Sequence, residues 1–266
     1  MLTSFWAAFW ASISSEWTKL WSVRSTWWCL IGAVFLMALY SVPLGFDAAN
    51  PNPNMSHDDQ LLHAEDVATA GLLFTQFALI ALALLTVTSE YASGSMRTTL
   101  QCEPRRGRVL AAKLVVVEVV ALVSGALLAV LGAGLGYLTA GDYGVFDVSS
   151  VAVVAGKVSV YMAVVVALAI GLALALRSTA GALVVAFLAL FLLPMVLMMS
   201  GMDLMTDLSY YLPGTAGTEY LGIGIATLFG LGDGLPYGHN GGLGLFAAWS
   251  GVALLAGYAV FRRRDA

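Results

Sequence analysis

Charge is the first thing this sequence is short of. Only 11% of its 266 residues are Asp, Glu, Lys or Arg, against about a quarter in soluble domains. With 60% hydrophobic residues and a mean hydropathy of +0.87, the composition excludes an ordinary water-soluble fold. Cysteine is scarce too: Cys29 and Cys102 are the only two, which is no disulfide framework, and they read as reduced thiols. The three histidines, His57, His63 and His239, lack the His-Glu-x-x-His spacing of a zinc hydrolase. A Gly-x-Ser-x-Gly nucleophile elbow is missing as well. So is any Gly-rich loop ending in Gly-Lys-Ser/Thr, so this chain is expected to bind no ATP, magnesium or other cofactor itself and not to be an enzyme. A net charge of -4 gives no support for nucleic acid as a partner.

What fills the chain instead is a series of apolar runs, each long enough to cross a hydrocarbon core of about 30 Å. They fall at 26–44, 68–88, 113–138, 153–176, 180–199 and 243–261. The expected fold is therefore all-α, a single polytopic permease-like domain over 1–266 with six membrane-spanning helices. The first run has no small-residue cleavage site after it, only Pro43-Leu44-Gly45-Phe46, and is expected to stay as an anchor. Arg177-Ser178-Thr179 leaves room only for a tight antiparallel hairpin between spans four and five. Ahead of the first span, residues 1–25 carry Leu2, Phe5, Trp6, Phe9, Trp10, Ile13, Trp17, Leu20 and Trp21 at three- and four-residue spacing. Ser12, Ser14, Ser15, Glu16 and Lys19 occupy the other faces. This is the pattern of an amphipathic helix lying along the membrane interface, with a helix packed on the bundle as the alternative.

Six crossings place both termini on one side, and the basic residues say which. Lys19, Arg24, Arg97, Arg105, Arg106, Arg108, Lys113, Arg177, Arg262, Arg263 and Arg264 lie on that side, leaving only Lys157 near the other. The positive-inside rule makes that face, and both termini, cytoplasmic. The opposite loops carry acids, among them Asp47, Asp58, Glu65, Asp142, Asp147, Asp203 and Asp233. Glu65, Asp66 and Asp147 precede helices, where the dipole favours negative charge. His57, Asp58, Asp59, His63, Glu65 and Asp66 form a cluster that is either a solvated loop or a divalent-cation site.

Between spans five and six, residues 200–242 exceed a simple connection. They contain an apolar run, Leu221 to Leu231, too short to cross and suited to a re-entrant outer segment. Pro194 and Pro213 are expected to bend or break the chain on the way there. Gly132 and Gly136 in span three form a small-xxx-small pair that permits close helix approach. Glu118 and Lys157, in spans three and four, sit at different depths and are not expected to pair.

The most informative stretch is the loop 89–113, SEYASGSMRTTLQCEPRRGRVLAAK. Gly94 can end the helix from span two, Ser95 can cap a short new helix, and Pro104 limits that helix before a basic turn. SEYASGSMRTTL followed by PRRGRVLAAK resembles the corresponding loop of bacterial ABC type-2 permeases, the membrane subunits of drug, lipid and peptide exporters. The opening SEWTKLWSVRSTWW and the ending FRRRDA are similar to that family's first span and tail.

The resemblance implies a second permease copy and cytoplasmic ATP-binding-cassette ATPase subunits that carry the ATP and magnesium. It also implies a bacterial plasma-membrane location and a coupling helix in the loop 89–113. By that similarity Glu90, Tyr91, Gly94 and Arg97 are the coupling candidates. Arg105, Arg106 and Arg108 either contact the partner or hold topology. The function so implied is ATP-driven export of an amphiphilic or hydrophobic compound; the alternatives are a non-transporting scaffold or sensor, or immunity against a membrane-active peptide.

Overall fold

The computed structural model describes residues 2–50, 56–96, 101, 106–223 and 235–264. It opens on helix α1 (Leu2–Ser22), which meets α2 (Arg24–Ala48) at the extended residue Val23. A short α3 (Ala64–Ala70) leads through Gly71 into α4 (Leu72–Ser93). The longest element is α5 (Arg106–Ala140), followed by α6 (Val148–Leu176). The fifth span is built from α7 (Thr179–Phe187), a π-helical turn (Leu188–Leu192) and α8 (Leu193–Met198). Two short helices, α9 (Asp203–Tyr210) and α10 (Pro213–Leu221), precede the final α11 (His239–Arg264). Among the described residues six helical stretches are long and apolar enough to cross a membrane. The protein is thus a polytopic, mostly helical membrane protein.

The core runs along α4, α5 and α6. Val116, Val117, Leu79, Ile80, Val165, Met162 and Ile170 are buried there. One polar pair crosses it: the Tyr161 hydroxyl donates to Gln76 Oε1 at 2.7 Å, with both side chains buried. A hydroxyl held in an apolar core needs such an acceptor. By contrast α2, the fifth span and α11 present exposed Phe35, Val184, Val196 and Leu255 on their outer faces.

Local chemistry sets several boundaries. Asp147 caps α6, accepting from Ser149 N at 3.3 Å and Ser150 N at 2.9 Å. Hydrogen bonds from Ser149 and Ser150 hold its carboxyl well below the usual carboxylate range. The α6–α7 joint is the tight hairpin expected: Arg177 closes α6 at φ 54 and Ser178 caps α7 through Gly181 N. Pro194 has no N–H to donate to Leu190, and the π turn sits where that bond is missing. Pro213 begins α10 at a position where its missing N–H costs nothing.

The loop 89–113 is shorter than the sequence suggests. Helix α5 begins at Arg106, so Arg106, Arg108 and Lys113 are helical and not part of a basic turn. The apolar pattern located only the apolar part of this helix; its first two turns carry Arg106, Arg108 and Lys113. The Gly132/Gly136 pair serves contacts inside the chain. A Cβ at Gly132 would collide with Met37 of α2, and one at Gly136 would lie 2.8 Å from Val67 of α3. Of the segment 200–242, residues 200–223 and 235–242 are described. The run expected to re-enter falls mostly in 224–234, outside the described residues. In α10 every residue except Glu219 is buried. Trp249 Nε1 donating to Tyr211 O at 2.9 Å fastens this segment to α11.

On the acidic face, Leu62–His63 pairs in parallel with Gly144–Val145, joining the loop before α3 to the loop before α6. His63 Nδ1 lies 3.9 Å from Glu65 Oε1. Among the described residues no three His, Cys, Asp or Glu side chains converge as metal ligands.

Candidate functional site

The sequence places Glu16 and Lys19 on the polar side of α1. The structure turns Glu16 inward, 7% exposed, and leaves Trp6, Trp10 and Trp17 facing out. The reason is Lys113. Its position about two turns into α5 buries the ammonium, 4% exposed, against α1 and the end of α4. All three of its donors are used: Glu16 Oε2 at 2.5 Å, Glu90 Oε1 at 3.2 Å and Thr86 O at 3.0 Å. Lys19, with a side chain 41% exposed, contacts the same two carboxylates at 2.6 Å and 3.2 Å. Two glutamates and two lysines from three helices therefore close into one neutral cluster.

Its electrostatics follow from this geometry. Burial pushes the Glu16 carboxyl up, but the Lys113 ammonium and the hydrogen bonds from Lys113 and Lys19 outweigh it and hold the group below its ordinary range. Burial likewise pulls Lys19 down, and its bonds to Glu16 and Glu90 raise it overall. Glu90 Oε2 is left buried with no hydrogen-bond partner. Beside the cluster opens a cavity of about 470 Å³. Its wall carries the hydroxyls of Ser22, Ser25, Thr26, Thr86, Ser89 and Ser93.

The other sequence-predicted residues gather around the same end of the bundle. Tyr91 lies under Arg177, its ring centroid 4.9 Å from the guanidinium carbon. One turn earlier Thr88 and Thr179 share a hydrogen bond of 2.7 Å, so α4 is tied to the α6–α7 hairpin twice. Gly94 ends α4 in the left-handed conformation, φ 71, with its N–H bonded to Tyr91 O. Ser95, Met96 and Gln101 are helical beyond it. Arg97 and Arg105 lie outside the described residues. Arg106 donates to Phe261 O at 2.9 Å and Arg262 O at 3.0 Å, which are C-terminal carbonyls of α11. It thereby meets orphan acceptors at the negative end of that helix. Arg108 is half-buried on the same turn.

The ion-pair partners of Glu90 are Lys19 and Lys113. Sequence reasoning missed this cluster because Lys113 counts there as a loop residue and Glu16 as solvated. A signal existed all the same: Glu16, Glu90 and Lys113 each border an apolar span at the same end. Glu118 and Lys157 make no ion pair with each other, as expected from their different depths. Compared with known proteins, the chain matches no family model and no curated protein.

Proposed function

We propose that this chain is the membrane-spanning subunit of an exporter whose energy comes from a separate cytoplasmic ATPase. The observation that carries the reading is the convergence at one end of the bundle. There α1, α4 and α5 are pinned by buried charges, and α4 also grips the α6–α7 hairpin through Tyr91 and Thr88. A partner pressing on the segment after Gly94 would move five helices together. In this reading the basic face is cytoplasmic, in a bacterial plasma membrane, and Glu90, Tyr91, Gly94 and Arg97 form the contact. Arg105, Arg106 and Arg108 flank it. Helix α1 lies in the interface with its tryptophans toward lipid. The buried α10 belongs to a re-entrant outer cap, and a second permease copy covers the exposed faces of α2 and α11. The cargo is amphiphilic or hydrophobic, because the spans supply no fixed array of charges for a polar solute.

The test is export by cells co-expressing the chain with a candidate ATPase, alongside ATPase assays of the purified proteins. The chain alone should show no hydrolysis. Tyr91→Ala and Arg97→Ala should keep membrane levels and lose export and partner capture. Normal export by both variants sinks the coupling assignment. Membrane insertion without any ATPase partner or efflux favours the scaffold or sensor reading instead.

A further inference from the structure

We propose that the groove between α1, α2 and α5 binds a long-chain fatty acid, its tail along the groove and its carboxylate at the basic end. This inference stands whether or not the protein exports anything. The groove is separate from the cavity beside the charge cluster and has a volume of about 510 Å³. Trp17 and Trp21 of α1 border it, Leu30 and Val34 of α2 and Val123 and Leu127 of α5 form its walls, and Ser124 brings the single hydroxyl. A serine inside a helix can bond the carbonyl four residues back, so the lining asks for nothing polar along its length. A hydrocarbon tail is the occupant such walls fit.

The two ends of the groove set the length of that tail and the charge of its head. At Met37, which is fully buried, α2 and α5 close on each other, and a Cβ on Gly132 would collide with Met37. The groove therefore stops just past Val34 and Leu131, a blind end that one tail can fill and a second cannot share. From Val119 to Leu131 helix α5 rises about 18 Å. An extended alkyl tail advances about 1.25 Å per carbon, given C–C bonds of about 1.5 Å opened to about 111°. The groove thus takes about 14 carbons. At its other end the indole N–H groups of Trp17 and Trp21 donate to no acceptor among the described residues. An indole N–H can only donate. Arg24, three residues after Trp21, is exposed and has no ion-pair partner among the described residues. The Trp21 and Trp27 rings, 5.2 Å apart, pack across the α1–α2 joint and hold Arg24 at this end. Donors and a cation without acceptors call for an anionic head, and a carboxylate supplies acceptor oxygens only.

The experiment uses the full chain in phosphatidylcholine nanodiscs, offered saturated fatty acids of about 10 to 20 carbons, with retained ligand counted by native mass spectrometry. Wild type should retain acids of about 14 to 16 carbons best, at least about tenfold above the alcohol of equal length. Val34→Phe, which adds bulk at the blind end, should move that optimum about three carbons shorter. Ser124→Phe, which blocks the groove midway, should abolish retention while melting at the wild-type temperature in phosphatidylcholine. Arg24→Gln should erase the preference for acid over alcohol and keep the optimum in length. Retention that only rises with tail length in wild type overturns the proposal, since partition onto any apolar face does the same. An optimum unmoved in Val34→Phe also overturns it. Stronger retention of a lysophospholipid than of the fatty acid of equal tail removes the fatty acid as occupant, and a dimer that carries no acid gives the groove to a second copy.

Discussion

Lys113 is the residue on which the basic end of the molecule turns. Removing one member of a buried ion cluster strands the others, at a cost of about 3–5 kcal/mol. Lys113→Ala should therefore lower thermal stability in detergent by that amount. Lys19 touches the same carboxylates but is 41% exposed, so solvent screens it, and Lys19→Ala should cost no more than about 1 kcal/mol. Equal losses in calorimetry would refute this ranking. The pH dependence follows from signs. Glu16 is lowered from 4.5, so its contribution is complete above that value and fades as pH falls through the lower folded value. Lys19 is raised from 10.5, so its contribution is complete below that value and fades as pH rises through the higher folded one. Attachment of α1, followed by the fluorescence of Trp17 and Trp21, should be flat between these limits. A transition near neutral pH would show that another group controls it. The sequence shows these charges at the same end of the spans but not which of them pair, because the contacts between helices span 71 and 97 residues.

At the level of elements, the fifth span shows how a neighbouring helix packs against a break. Pro194 leaves the Leu190 carbonyl without its usual donor, and α10 lays the bare backbone of Gly214 directly against that carbonyl. A methyl group there would collide with it, so Gly214→Ala should destabilise the protein by about 1–3 kcal/mol. Gly134, in the middle of α5, has open space around its missing side chain. Gly134→Ala should be neutral or stabilise by up to about 1 kcal/mol. Matched melting curves of the two variants check the contrast, and identical curves would remove Gly214 from its role. Sequence patterning located this span, the α6–α7 hairpin and the stop at Gly94, since proline, glycine and tripeptide joints act locally. It did not locate α10, whose Gly-Thr-Ala-Gly-Thr composition lacks an apolar period; burial of that helix arises from contacts with α6, α11 and the π turn.

For the molecule as a whole, sidedness is the property most readily read from the chain, because charge asymmetry survives any error in helix boundaries. In a background without native cysteines, Asp58→Cys should react with an impermeant maleimide added outside intact cells, and Gly107→Cys only after permeabilisation. The reverse pattern would invert the topology. What the asymmetry could not convey is that its basic residues also hold helices together. Arg106, at the threshold of the third span, takes its acceptors from a helix end 155 positions later. During synthesis that arginine emerges and enters the membrane long before its acceptors exist. The contact is therefore among the last to form: a chain stalled or clipped before Phe261 leaves Arg106 without those carbonyls, and α5 is clasped to α11 only once the final helix is complete.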